Sequence, residues 1–473
     1  MNKERFKSIL LGFLIILNFV LGSRILIEKK LWPTGYNFFS NIGNLRISKL
    51  YENIVSYFTD GNQYEIQVLN PEKILLNTGD QTTRISLSPN DNSFEEIMSE
   101  TNEILKTAFS MPSEMFTEID KEDLYSALSV ESVYLSYARK YSINLFEEFL
   151  GADTDGQTKL SENEFADIVI SYSANGSKCN VYMADFDTDN YYGIGINYNS
   201  DKLRDLCDES VKKNGSEGEN VINYSFDLKF DQPFGSQKTT LNPLIQVYST
   251  TSEMPVIKAV NPIMKDEENV NETIIDNILN IFNINASTMR RYAEAGGTLV
   301  FVENNATLKI DKNGYLEYTA MDDGMELSNA SGSEYSDIIN LNSITSKINK
   351  ALGNNEAMCL TQSDDKTIIN YDYMVTGTRV VINTDNISSG VSAKVENGHL
   401  LSYKQLMRHY SIKSETLSPS EFFEALDNAI ARYSEFMNEI NINKMFIGYN
   451  DNGIVGDKYA NWIVEVDNVI VGE

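Results

Sequence analysis

One apolar segment near the N-terminus constrains how the whole chain can be organised. Residues 8–27 read SILLGFLIILNFVLGSRILI and directly follow a basic stretch that contains Lys3, Arg5 and Lys7. Twenty residues of α-helix rise by about 30 Å, the thickness of the hydrocarbon core of a bilayer. The segment therefore predicts a transmembrane helix. The positive charges before it place residues 1–7 in the cytoplasm and the rest of the chain outside the cell membrane.

A cleaved secretory signal peptide is the alternative interpretation of this segment. Val20-Leu21-Gly22 could serve as a cleavage site, although the preferred A-x-A pattern is absent. We therefore expect an uncleaved anchor and a single-pass protein of the cell membrane. The aromatic side chains expected at the level of the lipid headgroups are Trp32, Tyr36, Phe38 and Phe39.

One side of the predicted membrane helix carries small side chains. Ser8 and Gly12 have the small-xxx-small spacing that lets a second helix approach closely. Asn18 lies near the edge of this side, where its amide is placed to hydrogen-bond across a helix contact. The stripe predicted to contact a partner consists of Ser8, Gly12, Ile15, Phe19 and Gly22. Glycine and serine are also frequent in membrane helices generally, so the stripe alone does not identify a partner.

The composition of the chain excludes several classes of protein. Its 473 residues include 39 Lys and Arg against 68 Asp and Glu, and the formal net charge is −29. Such a surface repels phosphate backbones, so nucleic-acid binding is nearly excluded. Hydrophobic residues make up 42% of the chain, which argues against wholesale disorder. Three cysteines and two histidines supply neither a disulfide framework nor a usual zinc site.

Helical and strand-like patterns alternate irregularly after the membrane segment. This irregularity favours an α+β fold with antiparallel sheets over a doubly wound sheet. A capping box at 93–96 predicts a helix over 92–109. Strand-like alternation predicts strands at 132–141, 168–173, 192–198 and 221–230.

A charged stretch at 265–269, preceded by prolines, predicts a domain boundary. We expect an N-terminal extracytoplasmic α+β domain at 28–262 and a C-terminal α+β region at 263–473. A further division of the second region into 263–355 and 356–473 stays open.

A helix followed by a hairpin recurs three times in the C-terminal region. The helices are predicted at 271–285, 335–352 and 418–440, and the hairpin turns at Asn313-Gly314, Asn397-Gly398 and Asn452-Gly453. The third helix is expected to begin at a capping box at 418–421, with Pro419 in its first position. Its apolar residues, from Phe422 to Ile440, keep helical spacing.

Every motif for metal binding or catalysis is incomplete. Residues 185–189 (DFDTD) begin like a calcium loop but lack its Gly at position six and its Glu at position twelve. We interpret them as a solvated turn, and weak calcium binding stays open. Ser210 and Lys213 match S-x-x-K, but S-D-N and K-T-G are absent, so we expect them on a polar helix face. His399 is expected at a hairpin turn and His409 in a helix-like segment. No catalytic, cofactor-binding or metal-binding residue is predicted.

Cys179, Cys207 and Cys359 are expected to be buried free thiols.

Several segments resemble the YycH family of single-pass membrane proteins of low-GC Gram-positive bacteria, in its clostridial version. They are LWPTGYNFF at 31–39, LFEEFLG at 145–151, GTLVF at 297–301, KNGYLEY at 312–318 and NWIVEV at 461–466. The similarity covers nearly the whole chain and is diffuse. The companion YycI family has a related extracytoplasmic architecture and is the family with which this chain could be confused.

The resemblance implies a non-enzymatic accessory regulator of the WalK (YycG) sensor histidine kinase, which controls cell-wall metabolism through the response regulator WalR. It implies that the membrane helix contacts the kinase, that a YycI-like protein is a second partner, and that no cofactor is bound. Whether the kinase is restrained or stimulated depends on which of its conformations the complex stabilises.

Two alternative functions stay open. One is a wall-associated enzyme that uses Ser210 or an unidentified carboxylate pair. The other is a ligand-binding scaffold for wall fragments or another protein, which an aromatic-lined pocket after residue 270 would favour.

Overall fold

The computed structural model describes residues 69–472 except for 80–83, 153–162, 174–175, 215–220, 237, 266–268, 286, 295, 329–331, 355–356, 364 and 467–468. Among the residues described, we find no helix with the length and apolar character needed to cross a bilayer. The predicted tail (1–7), anchor (8–27) and headgroup aromatics lie outside the described residues. The membrane anchor therefore stays a prediction.

Seven α-helices occur in the described part of the chain. They are α1 (Phe94–Phe109), α2 (Lys121–Leu128), α3 (Ile143–Leu150), α4 (Asp201–Asn214), α5 (Glu272–Ile281), α6 (Glu334–Ala351) and α7 (Phe422–Tyr433). Two short 3₁₀ helices lie at Ser113–Met115 and Ser225–Leu228. The helices combine with mainly antiparallel sheets, so the predicted α+β class is confirmed.

The first sheet is antiparallel and has seven strands. They are β1 (Lys73–Thr78), β2 (Arg84–Leu87), β3 (Thr117–Glu118), β4 (Glu131–Ser142), β5 (Glu164–Tyr172), β6 (Cys179–Asp185) and β7 (Asn190–Ile196). Their order across the sheet is β2-β1-β4-β5-β6-β7-β3. Apolar residues of α1 at helical spacing, such as Ile97, Ile104 and Leu105, are fully buried in the core that contains this sheet.

A second, larger sheet has fourteen strands. They are β9 (Thr240–Leu241), β12 (Arg290–Ala293), β13 (Leu299–Val302), β14 (Ala306–Ile310), β15 (Tyr315–Ala320), β16 (Met325–Glu326), β17 (Ala357–Thr361), β18 (Ile368–Val375), β19 (Thr378–Ile382), β20 (Val391–Glu396), β21 (His399–Leu406), β23 (Asn441–Asp451), β25 (Ala460–Val466) and β26 (Val469–Gly472). Its pairings are antiparallel, except that β9 and β19 both run parallel to β23.

Two small sheets complete the described fold. The first pairs β8 (Ile222–Tyr224) with β10 (Gln246–Tyr248). The second has β11 (Met254–Val260) between β22 (His409–Leu417) and β24 (Gly456–Lys458). Strand β11 therefore pairs with strands that lie about 150 to 200 residues further along the chain.

The largest cluster of buried apolar side chains draws on both sides of the predicted boundary at 262/263. It includes Phe146 and Ile168 from the first part, and Ile338 and Tyr371 from the second. A shared cluster does not test whether the two parts are separate domains, so the division at 262/263 and the one at 355/356 stay predictions.

The predicted helix at 92–109 is confirmed, but its capping box is wrong. Ser93 lies in the helical region of backbone space and its side chain makes no capping bond. The prediction that the third helix begins at 418–421 is also wrong, because α7 begins only at Phe422. A residue before the helix makes a tertiary contact instead, because the carbonyl oxygen of Ser420 accepts a hydrogen bond from Trp462 Nε1 at 2.8 Å.

The predicted strand at 221–230 is half wrong. It ends at Tyr224, and a 3₁₀ turn follows in which Asp227 Oδ2 accepts the Tyr224 backbone N–H at 2.9 Å. The same carboxylate pairs with Arg84 Nη1 at 2.6 Å, which holds the turn against β2. His409 begins strand β22 and does not lie in a helical segment.

Candidate protein-binding surface

The predicted membrane contact residues lie outside the described residues. They are Ser8, Gly12, Ile15, Asn18, Phe19 and Gly22 of the stripe, and Trp32, Tyr36, Phe38 and Phe39 of the headgroup belt. The candidate residues for chemistry, in contrast, all lie within the described part of the chain.

Ser210 and Lys213 do not form a catalytic pair. Ser210 is fully buried, whereas Lys213 is exposed and its ammonium lies 2.7 Å from Glu209 Oε1, one helical turn away on α4. A nucleophile and its base must lie within hydrogen-bond reach of each other. Lys213 is thus engaged with Glu209 while Ser210 is buried, so the predicted polar face is wrong for Ser210 and the pair offers no support for an enzyme.

The acidic turn at 185–189 already holds a cation from the protein itself. Lys140 Nζ lies 2.6 Å from Asp185 Oδ1 and 2.7 Å from Asp187 Oδ2, and Thr188 also donates a hydrogen bond to Asp185. Burial alone would lower the pKa of Lys140, but the bonds to both carboxylates outweigh it and raise that pKa. A calcium ion would have to displace this ammonium. Among the described residues, this turn included, no group of three or more His, Cys, Asp or Glu side chains is placed to hold a metal ion.

A small cavity of about 80 Å³ lies where the first sheet meets β23, and its walls include Tyr134, Asp167 and Lys444. Tyr134 Oη donates a 2.6 Å hydrogen bond to Asp167 Oδ1. Burial raises the pKa of Asp167 to about 6, although this hydrogen bond and the charge of Lys444 favour its ionised form, and the carboxylates of Asp185 and Asp187 add to the rise. Asp167 therefore changes charge just below neutral pH.

We expect Asp167→Asn to stabilise the protein at pH 7.5 by up to about 3 kcal/mol, the energy equivalent of the pKa shift. The folded-state pKa lies above the usual value of 3.8. The favourable contribution of protonated Asp167 to the free energy of unfolding is therefore fully present below pH 4 and is lost as pH rises through about 6. Asparagine keeps the neutral side chain at every pH, so the gain appears only above that range. Urea unfolding from pH 4 to 7.5 measures the difference. The exposed Asp276→Asn controls for the lost charge, and an equal response of both variants would contradict the assignment.

A fully buried guanidinium organises the loop between β23 and β24. Arg408 Nε donates to Asp451 Oδ2 at 3.3 Å, and Nη1 donates to the carbonyl of Asn313 at 2.7 Å and to that of Met407 at 3.1 Å. Nη2 donates to the carbonyl of Gly453. One side chain thus joins the loop to the turn between β14 and β15.

Asp451 is fully buried as well, and each of its oxygens has partners. Tyr410 Oη donates to Oδ2 at 2.9 Å, while Lys458 Nζ lies 3.2 Å from Oδ1 and the Gly453 backbone N–H donates to it at 2.9 Å. Burial and the nearby carboxylate raise the pKa of Tyr410 well above its usual value, so its hydroxyl stays a donor. Satisfied buried networks of this kind rigidify the backbone around them.

The loop that this network holds carries two apolar side chains into solvent. Ile454 is 65% exposed and Val455 is 53% exposed. Together with Val260 and Met264 they line a groove of about 970 Å³, in which Tyr315 is the one aromatic wall residue. Apolar side chains fixed in an exposed position are typical of a protein-binding surface.

Sequence reasoning missed this surface, although a signal was present. Two β-branched apolar residues directly follow the predicted turn at Asn452-Gly453, where a polar loop would be expected. The buried pairing of Arg408 with Asp451 had no such signal, because 43 residues separate the two side chains. The groove itself has too few aromatic walls to match the aromatic-lined pocket that a ligand-binding scaffold predicted.

Comparisons with known proteins show a likeness to a solved structure. No protein-family model matches the chain, and no curated protein matches it. The crystal structure of YycH from Bacillus subtilis, however, matches 88% of this chain and 97% of its own, with a TM-score of 0.56 and 13% sequence identity.

The chain has a YycH-like fold. The expected resemblance is thereby confirmed for the architecture of the described residues, while its clostridial version stays a prediction. A structure of an uncharacterized protein from Eubacterium rectale covers 54% of this chain and 86% of its own, with 12% identity. Its TM-score of 0.33 is too low to add to the argument.

Proposed function

We propose that this protein is a membrane-anchored accessory regulator of a WalK-type sensor histidine kinase and that it acts through protein contacts rather than catalysis. The observation that carries the proposal is the YycH-like fold, which extends over 88% of this chain and 97% of the YycH chain. A match of this extent covers more of the chain than either large sheet occupies, so it is not limited to one common motif.

The chemistry of the described residues supports a binding role. The side chains that sequence motifs offered for catalysis or calcium binding are engaged in structural contacts, as with Lys140 between Asp185 and Asp187. The exposed Ile454 and Val455, in contrast, lie on a loop that a buried ionic network holds in place. Because this loop is already ordered, less conformational entropy is lost when a partner binds. We assign this surface to the extracytoplasmic contact with a YycI-like partner.

The membrane helix supplies the second contact in this proposal. The stripe that includes Ser8, Gly12 and Gly22 would pack against a helix of the kinase, with Asn18 beside it. A difference of about 1.4 kcal/mol in packing between two kinase conformations changes their ratio tenfold. Contacts of modest strength are therefore enough for regulation.

We expect Gly12→Leu to abolish association with the kinase in a membrane two-hybrid assay, because the added side chain keeps the two helix backbones apart. Leu17→Phe is the matched control, since it adds similar bulk on the opposite side of the helix. The control should retain the wild-type signal. Equal signals from both variants at equal membrane levels would refute a contact through the stripe.

A further inference from the structure

The strongest unassigned feature of the described surface is a group of exposed phenylalanines beside α7. Phe436 is 78% exposed and Phe423 is 51% exposed. The helix ends at Tyr433, so Phe436 leaves the apolar stripe that buries Phe422 and Leu426. The ring of Phe436 is therefore exposed because the helix ends before this residue.

The loop between the 3₁₀ helix at Ser225–Leu228 and strand β9 extends this apolar surface. The rings of Phe230 and Phe423 lie 6.1 Å apart, and those of Phe230 and Phe234 lie 5.0 Å apart. The far end of the loop is tied to the segment that follows α7, because Lys238 Nζ contacts Glu439 Oε1, three residues after Phe436, at 2.6 Å. We call the surface formed by the exposed Phe423 and Phe436 and the half-buried Phe230 and Phe234 the aromatic patch.

The border of the aromatic patch is acidic on the side formed by α7 and the residues that follow it. Residues 421–439 contain five carboxylates and a single cation. Glu424 and Asp427 are exposed on α7 beside Phe423, and Glu435 directly precedes Phe436. Of the five carboxylates, the Glu439 side chain is offset by Lys238.

We propose that the aromatic patch is a docking site for a protein segment whose apolar side chains are bordered by lysine or arginine. Burial of phenylalanine rings would supply most of the affinity, and aromatic anchors at the centre of an interface are typical of such sites. The acidic border selects a basic partner and speeds its approach. It also repels anionic lipid, so the occupant is a protein and not the membrane surface. This contact is separate from the groove and from the predicted membrane stripe.

The test uses the full-length protein and two fluorescent amphipathic helical peptides with the same leucine face, one bordered by lysines and one by glutamates. We expect the lysine peptide to bind at least tenfold more tightly than the glutamate peptide, as measured by fluorescence anisotropy. Phe423→Ser combined with Phe436→Ser should weaken its binding at least tenfold. Both side chains are exposed, so the fold should be retained, and an unchanged unfolding midpoint verifies this.

Tyr292→Ser combined with Met321→Ser is the matched control, because both side chains are exposed elsewhere on the surface. This variant should bind the lysine peptide like the wild type. Equal binding by the patch and control variants would overturn the proposal, since the peptide would then follow net charge alone. Failure of the lysine peptide to bind would overturn it too, as would patch-dependent binding to phosphatidylglycerol vesicles.

Discussion

Replacement of Arg408 by methionine is expected to lower the free energy of unfolding by about 3–5 kcal/mol, the range found when one partner of a buried ion pair is removed. Arg408 and Asp451 are both fully buried, and the carbonyls of Asn313 and Gly453 lose their donor together with the charge. Urea unfolding of the full-length protein measures the loss.

Arg290→Met is the matched control for Arg408→Met. Arg290 is exposed on β12, and its replacement should change the free energy of unfolding by no more than about 0.5 kcal/mol. Arg408→Met should also speed proteolytic cleavage between Asp451 and Gly456, because the loop loses its central donor. A loss below about 1 kcal/mol would contradict the role given to the network.

The second large effect is expected at Arg379, which joins distant parts of the chain. Its guanidinium lies 2.9 Å from Asp372 Oδ2, 3.2 Å from Glu72 Oε1 and 3.6 Å from Glu465 Oε1. Glu72 precedes β1 of the first sheet, whereas the other three residues belong to the large sheet. Arg379→Met leaves buried carboxylates unpaired and should cost about 3–5 kcal/mol at pH 8.

The loss caused by Arg379→Met should depend on pH. Burial alone would raise the pKa of Glu72, but Arg379 and Lys444 outweigh it and lower that pKa; burial raises the pKa of Asp372 despite Arg379. Without the guanidinium both folded-state values rise above the unfolded ones. The destabilisation is then largest at high pH and decreases as pH falls through the raised values.

Unfolding of Arg379→Met at pH 8 and pH 5, each compared with the wild type, tests this dependence. Adding Asp372→Asn to Arg379→Met should recover part of the stability at pH 8, because one unpaired charge is removed. A loss of stability that is the same at both pH values would show that packing, rather than charge, explains the effect.

Local signals in the sequence predicted the regular elements of the described fold well. The helix expected at 335–352 corresponds to α6, and the turn at Asn397-Gly398 joins β20 to β21. Both turn residues have positive φ, 51° and 75°, which is the conformation that this pair of residues tolerates best in a two-residue hairpin. Such features depend on neighbours in the sequence, so the sequence alone is informative.

The errors occur where distant contacts override local preference. Helix α7 begins later than predicted because the Ser420 carbonyl accepts a hydrogen bond from Trp462. The strand predicted at 221–230 ends early because Asp227 pairs with Arg84. Spacing along the chain carries no record of such partners. The candidate sites differ in the same way. The predicted membrane stripe follows from a local pattern in the sequence, whereas the Arg408 network joins three turns that are distant in the sequence.

The two parallel pairings of β23 bear on how the protein matures. During synthesis, strands β9 and β19 are made before the strand with which both pair, because β23 begins only at Asn441. At ordinary rates of synthesis, the roughly 60 residues between β19 and β23 take several seconds to appear. During that interval both strands have an unfilled hydrogen-bonding edge, which is a risk for aggregation. A nascent chain that stops before Asn441 would therefore need a chaperone to remain soluble.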